Sequence, residues 1–131
     1  MRDIESEDDI KMLVDTFYER IQQHTILGPV FALRIEANNW QPHLEKMYRF
    51  WGTLLLYTQT YSGSPFDKHI GLGIEADHFK FWLTLFDETI DNLFSGDVAN
   101  IAKERAHNIA LTFEYKLASL DVKTIPITKT E

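Results

Sequence analysis

Cysteine is absent from these 131 residues, so five histidines carry most of the chemical potential, at positions 24, 43, 69, 78 and 107. Disulfides, thiolate metal sites, iron–sulfur clusters and cysteine nucleophiles are excluded together. An imidazole can act as a base, a proton shuttle or a metal ligand. For most histidines the plainer role is a surface or capping group. His24 follows Gln22-Gln23 at a predicted helix end, where a cationic ring suits the negative pole of the dipole. His78 follows an N-cap, and His107 lies on a polar arc with Lys103, Glu104, Arg105 and Asn108. His43 and His69 differ. His43 opens a helix with Leu44, Met47, Tyr48 and Trp51 nearby on the same side, and His69 sits between Lys68 and Ile70 in an apolar loop.

Several other chemistries fail on their geometry. None of the five serines occupies a strand-to-helix elbow, so a hydrolytic triad has no host. Gly71-Leu72-Gly73 follows no strand and lacks a third glycine, so it does not cradle phosphate. Glu-x-x-His occurs twice, at Glu75–His78 and Glu104–His107, and a ferritin-like di-iron bundle uses a pair of such motifs. Two occurrences are little above chance in this composition. On the predicted hairpin the two histidines are also out of step by roughly 7 Å at 1.5 Å rise per residue. What remains is a pair of histidines, His43 and His69, facing each other across an aromatic cavity with Tyr18 and Trp82 on further helices. Such a lining suits a large flat apolar cofactor, with Lys46, Arg49 and Lys68 as rim cations if that cofactor carries carboxylates.

The elements that must position these groups are helical. Ile10, Leu13, Val14, Phe17 and Ile21 recur at three- and four-residue steps behind Ser6 and Asp9, which resemble a capping box. That helix is expected to stop near Gly28-Pro29. A second runs from about Asn39 to Tyr57, with Pro42 in its first turn. A third follows Asp77 as N-cap and carries Phe79, Trp82, Leu83, Phe86, Ile90 and Leu93. Gly96-Asp97 is expected to break it and cap a fourth, which shows Val98, Ile101, Ala102, Ile109, Phe113, Leu117 and Leu120. No segment alternates with period two, so the expected class is all-α. The stretch from Thr58 to Ala76 is a long loop containing Tyr61, Phe66, Ile70, Leu72 and Ile74, too apolar to be solvated and too long to be a simple connector.

The length fits one domain, expected over residues 1–121, with a flexible tail at 122–131. A formal charge of −7 with scattered Lys and Arg excludes a duplex-binding face, and no nucleic-acid partner is expected. The acidic N-terminus is unlike a signal peptide, and the uncharged run from Phe50 to Phe66 is too interrupted for a membrane span. A cytoplasmic monomer is expected.

The order and spacing of Phe17-Tyr18, Leu27-Gly28-Pro29-Val30-Phe31, Trp40-x-x-His43, Phe50-Trp51, Tyr61-Ser62-Gly63-x-Pro65-x-x-Lys68-His69 and Phe79-x-x-Trp82-Leu83-x-Leu85-Phe86 resemble the truncated haemoglobins, most closely their third group. The resemblance covers Ile10 to Leu120. It implies a two-over-two helical sandwich around haem b (iron protoporphyrin IX), with the proximal histidine carried on a long loop. By that resemblance His69 is the iron ligand and Tyr18, His43 and Trp82 form the distal polar set. Phe31, Met47 and Phe79 pack on the cofactor beside Trp82, and Lys46 and Lys68 serve its carboxylates. Met47 stands where a branched aliphatic residue is more usual. The implied ligands are O2, NO and CO, with an unidentified reductase as partner where the use is redox. O2 storage, NO dioxygenation, peroxide chemistry and sensing remain alternative uses of one such pocket, since a fold does not fix a function. A cofactor-free helical interaction module is the remaining alternative.

Overall fold

The computed structural model describes residues 1–33, 35–56 and 76–130, the side chains of 37, 76, 77 and 116–130 excepted. Among these residues there is no strand. The helices are α1 (Glu7–Gln23), α2 (Leu27–Ala32), α3 (Trp40–Leu56), α4 (Ala76–Leu93) and α5 (Asp97–Thr130), with one turn of 3-10 helix at Ala37–Asn39 before α3. α1 packs on α3 and α4 packs on α5; α1 also lies against α4 and joins the two pairs. None of these helices is long and apolar enough to cross a membrane.

The period in α1 places its apolar stripe as expected. Ile10, Leu13, Val14, Phe17 and Ile21 are each at most 1% exposed, and truncating any one of them would leave a cavity costing about 2–5 kcal/mol. The α1–α4 junction is aromatic: Phe17 meets Trp82 and Phe86 edge-on at 5.6 and 5.1 Å between ring centroids, and Trp82 stacks on Phe86 at 5.7 Å. Pro42 lies in the first turn of α3, as its missing N–H allows. α4 begins at Ala76, one residue before the Asp77 expected as its cap.

Three expectations change. Gly28 and Pro29 do not end α1, which stops at Gln23; they lie inside α2. Pro29 is in the first turn of α2, where a donor is dispensable. Gly28 lets that turn approach α1, since a Cβ there would lie 2.7 Å from the Gln22 carbonyl oxygen. On α5, Ile101 is exposed; Ala102 and Phe113 are buried as expected, joined by Ala99, Ala106 and Ala110, and the side chains of Leu117 and Leu120 lie outside those described. Small residues at that spacing allow two helix backbones to approach closely. The backbone of α5 is helical to Thr130, past Asp121 where the tail was expected to begin. Helical backbone and fraying are compatible, so a flexible tail stays an expectation.

The third change concerns the cap of α5. Gly96 precedes the helix at φ +142 and has no side chain to offer. Asp3 supplies the cap instead, accepting from Val98 N at 2.9 Å and Ala99 N at 2.8 Å. A Cβ on Gly96 would meet Asp3 Cγ at 2.5 Å, so glycine is required for both its conformation and its neighbour. Ile4 is buried at 1% exposure, and Ser95 N donates to Arg2 O, so the first residues strap α1 to the start of α5. Burial acts to raise the Asp3 carboxyl, but backbone donors from Val98, Ala99, Ile4 and Asp97 outweigh it and hold it below the usual range.

Asp9 closes the strap. It completes the capping box with Ser6, accepts from Glu5 N at 2.8 Å, and is paired with Arg2 through both oxygens. The Arg2 hydrogen bond holds its carboxyl at about 2, against the opposing effect of burial. A depressed native value stabilises the fold above the unfolded carboxyl range, and the contribution is lost as pH falls from about 4 towards 2. With Arg2 largely exposed, we expect Asp9→Asn to cost about 1–2 kcal/mol at pH 6. The difference should shrink towards pH 2.5 in urea titrations of the two proteins. A gap that stays constant with pH would show that the charge of Asp9 does not contribute.

Candidate functional site

α1 delivers Tyr18 one residue after the core Phe17, and α3 delivers Trp40 and His43 three residues apart, on one face. The three rings meet edge-on: Tyr18 to His43 at 4.9 Å, Tyr18 to Trp40 at 6.1 Å, and Trp40 to His43 at 5.8 Å. Phe31 of α2 approaches Tyr18 at 6.3 Å and is 2% exposed. Met47, one turn beyond His43, is 3% exposed. Phe17 contacts both Tyr18 (5.1 Å) and Trp82 (5.6 Å), so the aromatic group runs from α3 through α1 to α4.

This group has a polar side. Tyr18 is 3% exposed, and burial pushes its hydroxyl well above the ordinary tyrosine range, so it stays a neutral O–H donor. His43 is half-buried with its Nε2 shielded from solvent. Trp82 is half-buried and carries an indole N–H, a donor only. A phenol O–H and an indole N–H are neutral donors, which suit a small acceptor that develops partial negative charge.

The other expected site residues divide. Lys46 and Arg49 are exposed on α3. Phe79 is buried, but its ring lies 5.4 Å from Phe113 in a smaller cluster with Ala110, between α4 and α5. Trp82 and Leu83 touch both clusters and link Phe79 to the main core. His69 and Lys68 lie outside the described residues, as does the loop expected around them.

Trp40, noted in the sequence for its spacing from His43 but not as a site residue, belongs to the ring group. His24 caps the start of α2, its Nδ1 accepting from Ile26 N and Leu27 N, both at 3.1 Å. Glu75 of the first Glu-x-x-His motif lies outside the described residues; in the second, His107 Nε2 lies 2.8 Å from Asp87 Oδ2, and among the described residues no three His, Asp or Glu side chains gather as a metal-binding set.

A family model described as bacterial-like globin matches residues 3–118. The chain is 31% identical over 115 residues to a group 3 truncated hemoglobin of Campylobacter jejuni, covering 86% of this chain and 91% of that protein. It is also similar to the crystal structure of a group III truncated hemoglobin from Campylobacter jejuni. There the TM-score is 0.81 at 30% identity, and the match covers 89% of this chain and 95% of the other.

Proposed function

Because the chain belongs to the bacterial-like globin family, we propose that it binds haem b and holds a diatomic ligand beside Tyr18, His43 and Trp82. The observation that carries this reading is the Tyr18 phenol, buried at 3% exposure and set edge-on to His43 at 4.9 Å within an aromatic wall. The donor set fits the group. Apolar rings and Met47 suit a porphyrin face, and neutral N–H and O–H donors suit a small polar ligand above it. When bound, haem would supply an iron centre that a histidine imidazole could hold and that could take a small exchangeable ligand.

In this proposal His69 holds the iron, Lys46 and Lys68 pair with the propionates, and Phe31, Met47 and Phe79 pack on the macrocycle. Tyr18 and Trp82 donate hydrogen bonds to O2, and His43 stands where it can either add a donor or close the space. Each neutral donor contributes about 0.5–1.5 kcal/mol, more towards a charged acceptor. Two acting together slow ligand escape by tens to hundreds of times at about 1.4 kcal/mol per factor of ten. A small dissociation rate suits ligand retention, or redox chemistry on O2 or NO supported by a reductase, better than delivery.

Haemin titration of the purified apoprotein tests this directly. The expected result is saturable one-to-one uptake with a sharp Soret band. Uptake that is non-saturable, or that a Trp82→Ala, Phe31→Ala double variant leaves unchanged while still folded, would sink the reading.

A further inference from the structure

Resting on the haem-binding reading, we propose that Asp15 and Tyr48 are positioning residues for the distal donor Tyr18. Their hydrogen bond pins α1 to α3 beside the pocket and so sets the spacing of Tyr18 and His43. The Tyr48 hydroxyl donates to Asp15 Oδ1 across the seam between the two helices. Asp15 Oδ2 accepts from Lys11 Nζ at 2.8 Å, and the same Lys11 ammonium lies 5.5 Å from the centre of the Tyr48 ring. Both carboxylate oxygens are thus engaged, and three side chains from two helices form one closed set.

The set stands at a cleft of about 280 Å³ on the α1–α3 seam, lined by Asp15, Tyr18, Leu44 and Tyr48 among others. Tyr18 is the recessed member, since it is almost wholly buried yet lines this cleft and also meets His43. Asp15 is three residues before Tyr18 on α1, and Tyr48 is five after His43 on α3. The tie therefore acts within about one and a half helical turns of both pocket residues. Burial and the Asp15 carboxylate both push the Tyr48 hydroxyl above the ordinary tyrosine range, so it remains a donor across working pH. A donor must sit within a few tenths of an ångström of its best distance, and a slide of 1 Å between two helices is enough to lose it. Asp15 is 37% exposed, so the tie contributes little to global stability and can be removed without unfolding the domain.

The test uses haem-loaded protein. Tyr48→Phe keeps the ring and its lysine contact while removing the donor, and Asp15→Asn keeps the shape while removing the charge. Each should raise the O2 dissociation rate about three- to tenfold, and the pair together should do no more than either alone. In a Tyr18→Phe background, Tyr48→Phe should then change that rate by less than about twofold, because its effect passes through Tyr18. The C–O stretch of the CO-bound protein should broaden or split in the single variants. A purely structural role would lower Tm and leave the stretch and the Tyr18 dependence untouched, which would overturn the proposal. Full additivity with Tyr18→Phe would overturn it too. Failure of the parent to take up haemin one-to-one marks the separate failure of the underlying reading and takes this proposal with it.

Discussion

Tyr18→Phe should raise the O2 dissociation rate about tenfold, the loss expected for one hydrogen bond of about 1.5 kcal/mol to a partly charged acceptor. The substitution removes one oxygen from a buried ring, so the packing with Phe17, Phe31 and Trp40 persists and the fold is kept. Stopped-flow displacement of O2 by CO reads the rate, and the Soret band of the unligated protein serves as the control. Removing the second donor by Trp82→Phe in the same molecule should bring the combined increase to tens or hundreds of times. Trp82 is held between Phe17 and Phe86, so its N–H is fixed by packing rather than by a flexible stem. An unchanged rate in Tyr18→Phe would remove that hydroxyl from ligand retention and leave Trp82 and His43 as the donors to examine.

The difference between what local spacing reveals and what it hides follows from sequence distance. The α1 stripe and the Ser6–Asp9 box were legible because every partner lies within four residues, which is the reach of helical periodicity. Tyr18 and His43 were legible as types, and the Trp40-x-x-His43 spacing put two rings on one face. The Asp3 cap of α5 was not legible, because its partners are 95 and 96 residues away. Nothing near Gly96 advertises an absent cap filled from elsewhere. The Tyr48–Asp15 tie crosses 33 residues, beyond the reach of local spacing. Gly28-Pro29 misled for the opposite reason: both residues normally end helices, yet glycine here admits a close carbonyl and proline sits where its missing donor costs nothing. Ile101 misled because hydrophobicity alone favoured it over alanine, whereas close helix packing selects the smaller residue.

His69→Ala carries the largest expected effect of all, the loss of stoichiometric haem uptake. Packing against Phe31, Met47 and Trp82 favours any flat apolar molecule, but only a coordinate bond selects iron porphyrin and fixes its orientation. Without the imidazole, haemin should bind weakly and in mixed orientations, with a broad band in place of a sharp Soret maximum. Circular dichroism and Tm of the apoprotein separate this from unfolding, since a ligand-bond loss leaves the helices intact. Free imidazole added to the variant should restore part of the sharp band by supplying the missing nitrogen from solution. His43→Ala is the companion measurement. It should keep one-to-one uptake, because its ring is committed to the Tyr18–Trp40 group. If the two variants exchange phenotypes, with His69→Ala keeping a sharp Soret band and His43→Ala losing it, the iron is held from α3 and the roles of the two histidines are reversed.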